Sequence, residues 1–557
     1  MTTAPVRPGL APSGHLVVRT VPGIEEADAG SDPQEMRQPF SALDEAGYHL
    51  DSVSEPWSVH LEVRLNGTVI EDRLRQAVGA ALANEPRIRA RAIIARERRP
   101  GCKWEITAAP EVDPLDVVIC SDDDALQTAR ADLQSLAVSL LKSPPLRIRL
   151  AHHRRGDVVM LNLHHAAGDG IAALSLLRSI AQAYAGKPDP VPQRPPEKLR
   201  IPAPSGRWAQ LEALVGELRQ AAPRSVHLVP SGGEDRPGYG LHQVVLDTAQ
   251  TAALTARADA GATVNDLLLA GLHLALDSWN AEHGGAGGQI SVLMPVNLRP
   301  KSRWYEAFGN YTFMVPVVTH PKDRGDPTAT VKTISRRTRR IKDERTPAAA
   351  VTLLDVLQHL PLPAKRRLAC LAVSERVMPT AILSNLGRLD ACLDFGPALR
   401  ADELWFSPPV RMPMGLAVGA VTAGARLHLV FRYRHPLFGP AEVARFADRY
   451  LATLGQVAAH ARVGPTSRPR KASGSGVVNS TVRTFPPTKM SVLSSSQRGR
   501  SRGARSRLRP TPRRAADDPS IVLEPTGGAR PNGWRWTRPR SGDRWVIRNS
   551  SERGCCS

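Results

Sequence analysis

Segments of strand period and segments of helix period alternate in the first third of the chain. Trp57–Leu65 alternates apolar and polar residues in steps of two, which predicts a strand. Glu71–Asn84 spaces its apolar residues three and four apart, which predicts an amphipathic helix. Leu146–His152 and Val158–Leu163, joined by the polar turn Arg154–Asp157, predict a β-hairpin. The pattern indicates a mixed α/β fold.

The second strand of this hairpin leads directly into the sequence HHAAGDG, residues 164–170, which we call the His motif. The apolar segment Ile171–Ala185 follows it and predicts a helix. The His motif therefore lies at a predicted strand-to-helix junction, where the backbone can present a side chain to a cleft.

The chain between the His motif and residue 464 continues this mixture of helices and strands. A proline-dense segment, 187–204, predicts a linker between two units, 39–186 and 205–464. Residues 1–38 are rich in Pro, Gly and Ala, and we interpret them as a flexible leader. The periodicity of the second unit predicts helices at 262–279, 326–342, 348–360, 364–377 and 440–462, and strands at 244–247, 290–295, 380–383, 403–407, 414–421 and 426–433.

The net charge of +21 changes this interpretation for the C-terminal tail, residues 465–557. The tail has 20 Lys and Arg against 5 Asp and Glu, whereas the remaining residues have 54 against 48. Low hydrophobicity with high charge predicts disorder in the tail. The tail could bind nucleic acid or an anionic surface, and a non-functional extension is the alternative. For the rest of the chain we expect no nucleic-acid binding.

Cysteine spacing and the length of apolar runs exclude several function classes. The six cysteines form no CxxC pair, so neither a zinc site nor a thioredoxin-like site is indicated. No run of ~18 apolar residues appears, and residues 1–30 have no apolar core of signal-peptide length. We therefore expect no membrane span and a cytoplasmic location.

The His motif combines residue types that suit proton transfer. A neutral imidazole can accept a proton near neutral pH. Adjacent side chains on a strand point to opposite faces, so we do not expect His164 and His165 to share a metal ion. Gly168 and Gly170 allow a tight turn or a close backbone approach. Asp169 can hold the turn or pair with a distant cation. A histidine pair without a chemical role is the alternative.

The His motif resembles the HHxxxDG signature of the condensation-domain and wax ester synthase–diacylglycerol acyltransferase-like superfamily. The fold of that superfamily is related to chloramphenicol acetyltransferase. The resemblance extends over about Pro39–Arg462. Further landmarks that match are Pro39–Asp44, Ala262–Asp266, Met294–Arg299, Phe308–Asn310 and Ser384–Gly387. The aromatic-rich motif of plant members is absent, because Asp394–Pro397 preserves only a fragment of it.

The resemblance implies two acetyltransferase-like lobes that form a pseudo-dimer, with a tunnel between them and the His motif at its midpoint. It implies that His165 is the general base, within a catalytic set that also contains His164, Asp169 and Gly170. His164 would be mainly structural. Asp169 would form a structural salt bridge with Arg299 and so hold the loop that carries His165.

Three residues from the further landmarks are candidates for an oxyanion site or for the tunnel wall: Asn310, Ser384 and Asn385. Turn formation explains these residue types equally well, so both interpretations stay open.

The activity implied by the resemblance is transfer of an acyl group from a thioester to a hydroxyl or amine acceptor. The donor would be acyl-coenzyme A or a phosphopantetheine thioester, with a carrier protein as a possible partner and no tightly bound cofactor. One alternative is a free-standing condensation enzyme that joins two carrier-bound partners. Another is a non-catalytic family member that acts through its basic tail. We expect a monomer, since a pseudo-dimer needs no second chain.

Overall fold

The computed structural model describes residues 37–94, 101–187, 212, 224–258, 262–299, 304, 307–343, 346–389, 393–459, 534–537 and 546–549. Met1–Gly464 forms one compact unit and Pro465–Ser557 a second. Most of the predicted leader (1–36) and of the predicted linker (188–204) lies outside the described residues. A strand already begins at Arg37, two residues before the predicted end of the leader.

The strands of the described residues, in chain order, are β1 (Arg37–Pro39), β2 (Ser58–Leu65), β3 (Ala90–Ile93), β4 (Lys103–Ile106), β5 (Leu115–Cys120), β6 (Leu146–His153), β7 (Val158–His164), β8 (Tyr239–Leu246), β9 (Ile290–Asn297), β10 (Thr312–Thr319), β11 (Ala381–Leu389), β12 (Ala401–Ser407), β13 (Leu416–Ala423), β14 (Arg426–Arg434), β15 (Trp534–Thr537) and β16 (Val546–Asn549).

The α-helices of the described residues are α1 (Ala42–Leu50), α2 (Glu71–Asn84), α3 (Asp123–Ser135), α4 (Gly170–Tyr184), α5 (Thr248–Ala258), α6 (Val264–Glu282), α7 (Pro327–Asp343), α8 (Thr346–Leu357), α9 (Leu362–Ala372) and α10 (Pro440–Ala459). Short 3₁₀ helices cover Pro86–Arg89 and Pro321–Asp323.

The strand that leads into the His motif belongs to a five-stranded sheet with the order β12-β2-β7-β6-β5. Its neighbours pair antiparallel, except that β5 and β6 are parallel. Every residue of β2 and β7 is buried, so these central strands are covered on both faces. The alternation in β2 therefore does not mark a solvent face. Its polar residue Glu62 is buried and accepts hydrogen bonds from the Arg130 guanidinium of α3.

A second, six-stranded sheet has the order β10-β9-β11-β13-β14-β8. In it, β11 is parallel to both β9 and β13, and the other neighbours are antiparallel. Leucines of α6 and aromatic residues of α10 share one buried cluster with the inner face of this sheet. A small third sheet, β1-β4-β3, packs beside the first.

Strand β12 comes late in the chain but lies in the first sheet. It pairs antiparallel with β2, with Phe406 opposite Leu61. Leu404 and Phe406 are buried in the hydrophobic cluster of the first sheet. A division at residue 205 assigns β12 to the second unit, and the structure corrects that assignment for this strand. Periodicity predicts a strand at 403–407 but carries no information on which sheet the strand joins.

Local capping explains where several helices begin. The hydroxyl of Ser41 accepts a hydrogen bond from the Asp44 backbone N–H, and the Asp44 carboxylate accepts one from the Ser41 backbone N–H, which starts α1. Thr263 and Asp266 form the same capping box at α6.

The predicted helix at Glu71–Asn84 has the same bounds as α2.

Other boundaries differ from the predicted ones because of tertiary contacts. The apolar pattern predicts a helix over 122–141, but α3 ends at Ser135. The Ser135 hydroxyl accepts a hydrogen bond from the backbone N–H of Tyr239, the first residue of β8. Strands β4, β5 and β10 and helices α1 and α5 have no counterpart among the predicted elements, since their segments are short or lack a clear period.

The C-terminal unit contains one described feature, a two-stranded antiparallel sheet in which Trp534 lies opposite Asn549. This pairing falls within the tail, where no strand is predicted from the sequence. The rest of the tail is outside the described residues.

Candidate active site

The His motif lies at the end of the central strand β7 and at the start of α4. His164 is the last residue of the strand, and Asp169 is the N-cap of the helix. The Asp169 carboxylate accepts a hydrogen bond from the Ala172 backbone N–H at 3.0 Å, which satisfies one of the free amides of the first helical turn. The junction expected from the sequence is therefore present, and a helix cap defines its end.

The two glycines of the His motif allow close packing. A Cβ on Gly170 would lie 2.8 Å from Leu386 Cδ2 of β11 and 3.0 Å from Phe406 Cε2 of β12. A Cβ on Gly168 would lie 2.8 Å from Leu163 Cδ2. Gly170, predicted as part of the catalytic set, therefore lets strands from both sheets approach the start of α4.

Asp169 and Arg299 form a buried ion pair that joins the two halves of the sequence. Arg299 Nη1 donates to Asp169 Oδ2 at 2.7 Å, and both side chains are at most 1% exposed. The same oxygen accepts from the Tyr311 backbone N–H and from the Thr312 hydroxyl, both at 2.9 Å. Burial alone would raise the pKa of Asp169, but Arg299 and these hydrogen bonds hold it below its usual value. Asp169 is therefore an ionised anchor whose hydrogen-bonding capacity is already used.

The rest of the Arg299 guanidinium holds the segment before β10. Nε donates to the Ala307 carbonyl at 2.8 Å, and Nη2 donates to the Gly309 carbonyl at 2.7 Å. The guanidinium also lies over the Tyr311 ring, 4.6 Å from its centroid. Arg299 thus binds the carboxylate through one nitrogen rather than in the bidentate mode that an Arg–carboxylate pair can adopt.

His165 is buried directly after the strand. Its backbone N–H donates to the Trp57 carbonyl at 2.9 Å, and the Trp57 and His165 ring centroids are 6.3 Å apart. Nδ1 is buried and has no hydrogen-bond partner among the described residues. Burial lowers the pKa of His165 below 6.5, and the Asp169 carboxylate acts in the opposite direction. The imidazole is therefore neutral at cellular pH, the state that a general base requires.

His164 has a different environment from its neighbour. The Ala166 backbone N–H donates to Nδ1 at 3.1 Å, so Nδ1 is an acceptor and carries no proton. Nε2 lies 3.4 Å from Asp51 Oδ2, and the His164 side chain is fully buried. The other oxygen of Asp51 accepts the Trp57 backbone N–H at 2.8 Å. His164 therefore fixes the turn of the His motif and links it to the residue after α1.

Asp51 is a site residue that the sequence reasoning missed. It is the C-cap of α1, and a lone carboxylate between a helix and a strand carries no signal of a partner so far away in the sequence. Helix α1 also touches the motif directly, since a Cβ on Gly47 would lie 3.1 Å from Ala166 N. No helix is predicted at 42–50, so the sequence carries no sign of this close packing.

The structure assigns structural contacts to two of the three oxyanion or tunnel candidates. The Asn310 side chain donates to the Leu43 carbonyl of α1 at 3.2 Å. Asn385 accepts from the Gly387 backbone N–H at 2.8 Å, which closes a turn at an irregularity of β11. Ser384 is 6% exposed, and its hydroxyl makes no hydrogen bond to another described residue. Of the three, Ser384 is the one whose polar group stays available.

Among the described residues, no group of three or more His, Cys, Asp or Glu side chains could hold a metal ion. Within the same part of the chain, no helix combines the length and apolarity needed to cross a membrane.

Comparison with known proteins identifies relatives over most of the chain. No protein-family model matches it. The Mycobacterium tuberculosis protein Rv2305 is 33% identical over 426 residues, which cover 74% of this chain and 98% of the relative. Tyrocidine synthase 1 of Brevibacillus parabrevis is 24% identical over 375 residues, which cover 61% of this chain and 33% of that synthase.

The architecture matches a solved condensation domain. The first condensation domain of the CDA synthetase superposes with a TM-score of 0.59 at 16% identity, covering 76% of this chain and 96% of that domain. The mixed α/β structure therefore has the condensation-domain fold, as the resemblance implied. At this level of identity the likeness establishes the fold alone.

Proposed function

We propose that this chain, which belongs to the family of Mycobacterium tuberculosis Rv2305, is a condensation-type acyltransferase with His165 as its general base. The observation that carries the proposal is a buried imidazole on a loop that an ion pair holds from the second half of the chain. A base of this kind needs no reorganisation before it accepts a proton.

The proposed reaction forms one ester or amide bond and breaks one thioester bond. His165 Nε2 accepts the proton of the acceptor hydroxyl or amine as that group attacks the thioester carbonyl. The tetrahedral intermediate then collapses, the C–S bond breaks, and the departing thiolate takes the proton back from His165. Ser384 is our candidate donor to the developing oxyanion, since its hydroxyl makes no hydrogen bond to another described residue.

We propose a phosphopantetheine thioester on a carrier protein as the donor, ahead of acyl-coenzyme A. The match to a peptide synthase in sequence and to a condensation domain in fold supports this order. These relatives favour a condensation enzyme over a wax ester synthase. The proposal also includes two acetyltransferase-like lobes with a tunnel between them, a monomer, and action in the cytoplasm without a tightly bound cofactor.

The test combines matched donors with a matched histidine pair. The full chain is incubated with one acyl group carried on coenzyme A or on a phosphopantetheinylated carrier protein, together with amines and alcohols, and free thiol and product are followed. His165→Ala should abolish product formation. His359→Ala, an exposed histidine after α8, should keep wild-type turnover. Full activity of His165→Ala would contradict the proposed base. Turnover with coenzyme A thioesters alone would contradict the proposed donor.

A further inference from the structure

A cavity of about 220 Å³ opens beside the His motif, between the end of α1, the small β1-β4-β3 sheet and α9. Its volume is below the ~300–1,000 Å³ that is usual for sites of drug-sized ligands, so it has room only for a smaller molecule. Its lining residues are Tyr48, His49, Asp51, Ile94, Cys102, Leu362 and Arg366.

The cavity has one carboxylate and one guanidinium among its lining groups, Asp51 and Arg366, and the two do not pair with each other. Arg366 is exposed and makes no ion pair or hydrogen bond with another described residue. Asp51 keeps a side-chain exposure of 23% although it contacts His164 and Trp57. Two opposite charges that share a small cavity without closing on each other leave room for a ligand that bears both charges.

We propose that this cavity binds a small free amino acid, with its carboxylate at Arg366 and its ammonium group at Asp51. The inference rests on the proposed function, because it assigns this amino acid as the acyl acceptor. It differs from a carrier-bound acceptor in one chemical feature, since an acceptor held as a thioester has no free carboxylate.

Two further polar groups at the cavity suit the carboxylate end of such a ligand. His49 Nε2 is buried and has no hydrogen-bond partner among the described residues, although Glu45 Oε1 lies 3.7 Å away. The Tyr48 hydroxyl makes no hydrogen bond to the described part of the chain. Burial, reinforced by the nearby Cys102, raises the pKa of Tyr48, so its hydroxyl stays a donor at neutral pH. Glu45 itself is held by Lys365 at 2.6 Å.

The ammonium end of the cavity adjoins the catalytic loop. Asp51 Oδ2 lies 3.4 Å from His164 Nε2, and His164 immediately precedes His165. An acceptor amine at Asp51 would therefore be one side chain away from the loop that carries the proposed base. The ammonium group must first give one proton to solvent to become a nucleophilic amine, and His165 then accepts a second proton as that amine attacks. The ligand carboxylate at Arg366 keeps the rest of the molecule in place.

The first experiment measures binding without turnover. The proteinogenic L-amino acids are screened against the full chain by thermal shift, and the best binder is titrated by calorimetry beside its C-terminal amide and its N-acetyl derivative. We expect at least one amino acid to bind, and each derivative to bind about tenfold more weakly, because each loses one charge-assisted contact. Absence of binding by every amino acid, or equal binding by the amide, would overturn the inference.

Two arginines that are adjacent in α9 provide the matched variants. Arg366→Ala should weaken binding of the best amino acid about tenfold, and Arg366→Lys should restore part of that loss. Arg367→Ala removes an exposed arginine that does not line the cavity and should change affinity less than twofold. Unchanged affinity in Arg366→Ala would refute the assignment of the carboxylate end.

The inference and the proposed function can fail separately. His165→Ala should bind the amino acid as the wild type does while forming no product. If the wild type binds the amino acid but transfers no acyl group, the proposed function is wrong and the proposed site still stands. If it transfers an acyl group to a carrier-bound acceptor but binds no free amino acid, the proposed site is wrong and the proposed function still stands.

Discussion

Two carboxylates lie against the His motif, and their surroundings differ. Asp169 is 1% exposed and accepts four hydrogen bonds, one of them from Arg299. Asp51 is 23% exposed and lies 3.4 Å from His164 Nε2 beside a cavity, without a hydrogen bond between the two. The first is a saturated anchor that keeps the start of α4 in place. The second is a loose contact that a ligand can reach. The difference indicates that the Asp169 contacts mainly stabilise the fold, whereas the Asp51 contact can affect substrate binding and turnover.

The largest expected effect is the loss of the buried ion pair. Arg299→Ala leaves the Asp169 carboxylate buried without its counter-charge, which should lower the free energy of unfolding by about 3–5 kcal/mol. Urea denaturation followed by circular dichroism measures this. Arg400→Ala is the matched control, because Arg400 also pairs with an aspartate, Asp402, but is 76% exposed. It should cost under ~1 kcal/mol. Equal losses in the two variants would contradict the anchor role of Asp169.

A smaller effect is expected from packing at the start of α4. In Gly170→Ala the new methyl group meets Leu386 and Phe406 at 2.8–3.3 Å, so one of these side chains must move. We expect a loss of about 1–3 kcal/mol in the free energy of unfolding. Gly79→Ala, in α2 with open space around the added methyl, should instead gain roughly 0.5–1 kcal/mol. A stabilised Gly170→Ala variant would show that the two sheets do not approach the motif this closely.

The third effect separates the two carboxylates by function. Asp51→Asn keeps the shape of the side chain but removes the charge that faces His164. We expect a loss of about tenfold in kcat, with a change in the free energy of unfolding of under ~1.5 kcal/mol, since Asp51 is partly solvated. Asp116→Asn is the control, because Asp116 of β5 is 52% exposed and pairs with Arg149 of β6. It should alter neither quantity beyond ~0.5 kcal/mol. If Asp51→Asn destabilised the protein as much as Arg299→Ala, Asp51 would be a second anchor.

The sequence predicts the two sides of the site unequally, for physical reasons. The strand-to-helix junction follows from local periodicity, and the pairing of Asp169 with Arg299 follows from a family resemblance that spans both halves of the chain. The contact between Asp51 and His164 depends on how α1 folds back onto the motif, and helix period does not encode that approach. The position of β12 is of the same kind, because alternation predicts a strand and tertiary packing selects its sheet.

Residue type alone also does not predict which of the three oxyanion candidates has a polar group free to bind substrate. Asn310 and Asn385 have side chains that suit an oxyanion site, and the structure gives both of them backbone partners. Ser384 has the same turn-forming chemistry in the sequence, yet its hydroxyl stays uncommitted to other described residues. Residue type thus narrows the candidates, and the hydrogen-bond partners in the fold decide among them.

The smallest expected effect is that of pH between 6.5 and 8 on kcat/KM. Burial lowers the pKa of His165 below 6.5, so more than half of the base is neutral at pH 6.5 and activity should change less than about twofold over that range. The acid limb of kcat/KM should have its midpoint below pH 6.5. Stability should follow in the same direction, because the unfolded chain binds a proton at His165 first as pH falls. Asp169, whose pKa is also lowered, contributes stability above pH ~3.9 that is lost only in stronger acid. An acid limb of kcat/KM with its midpoint above pH 6.5 would mean that the base is a group other than His165.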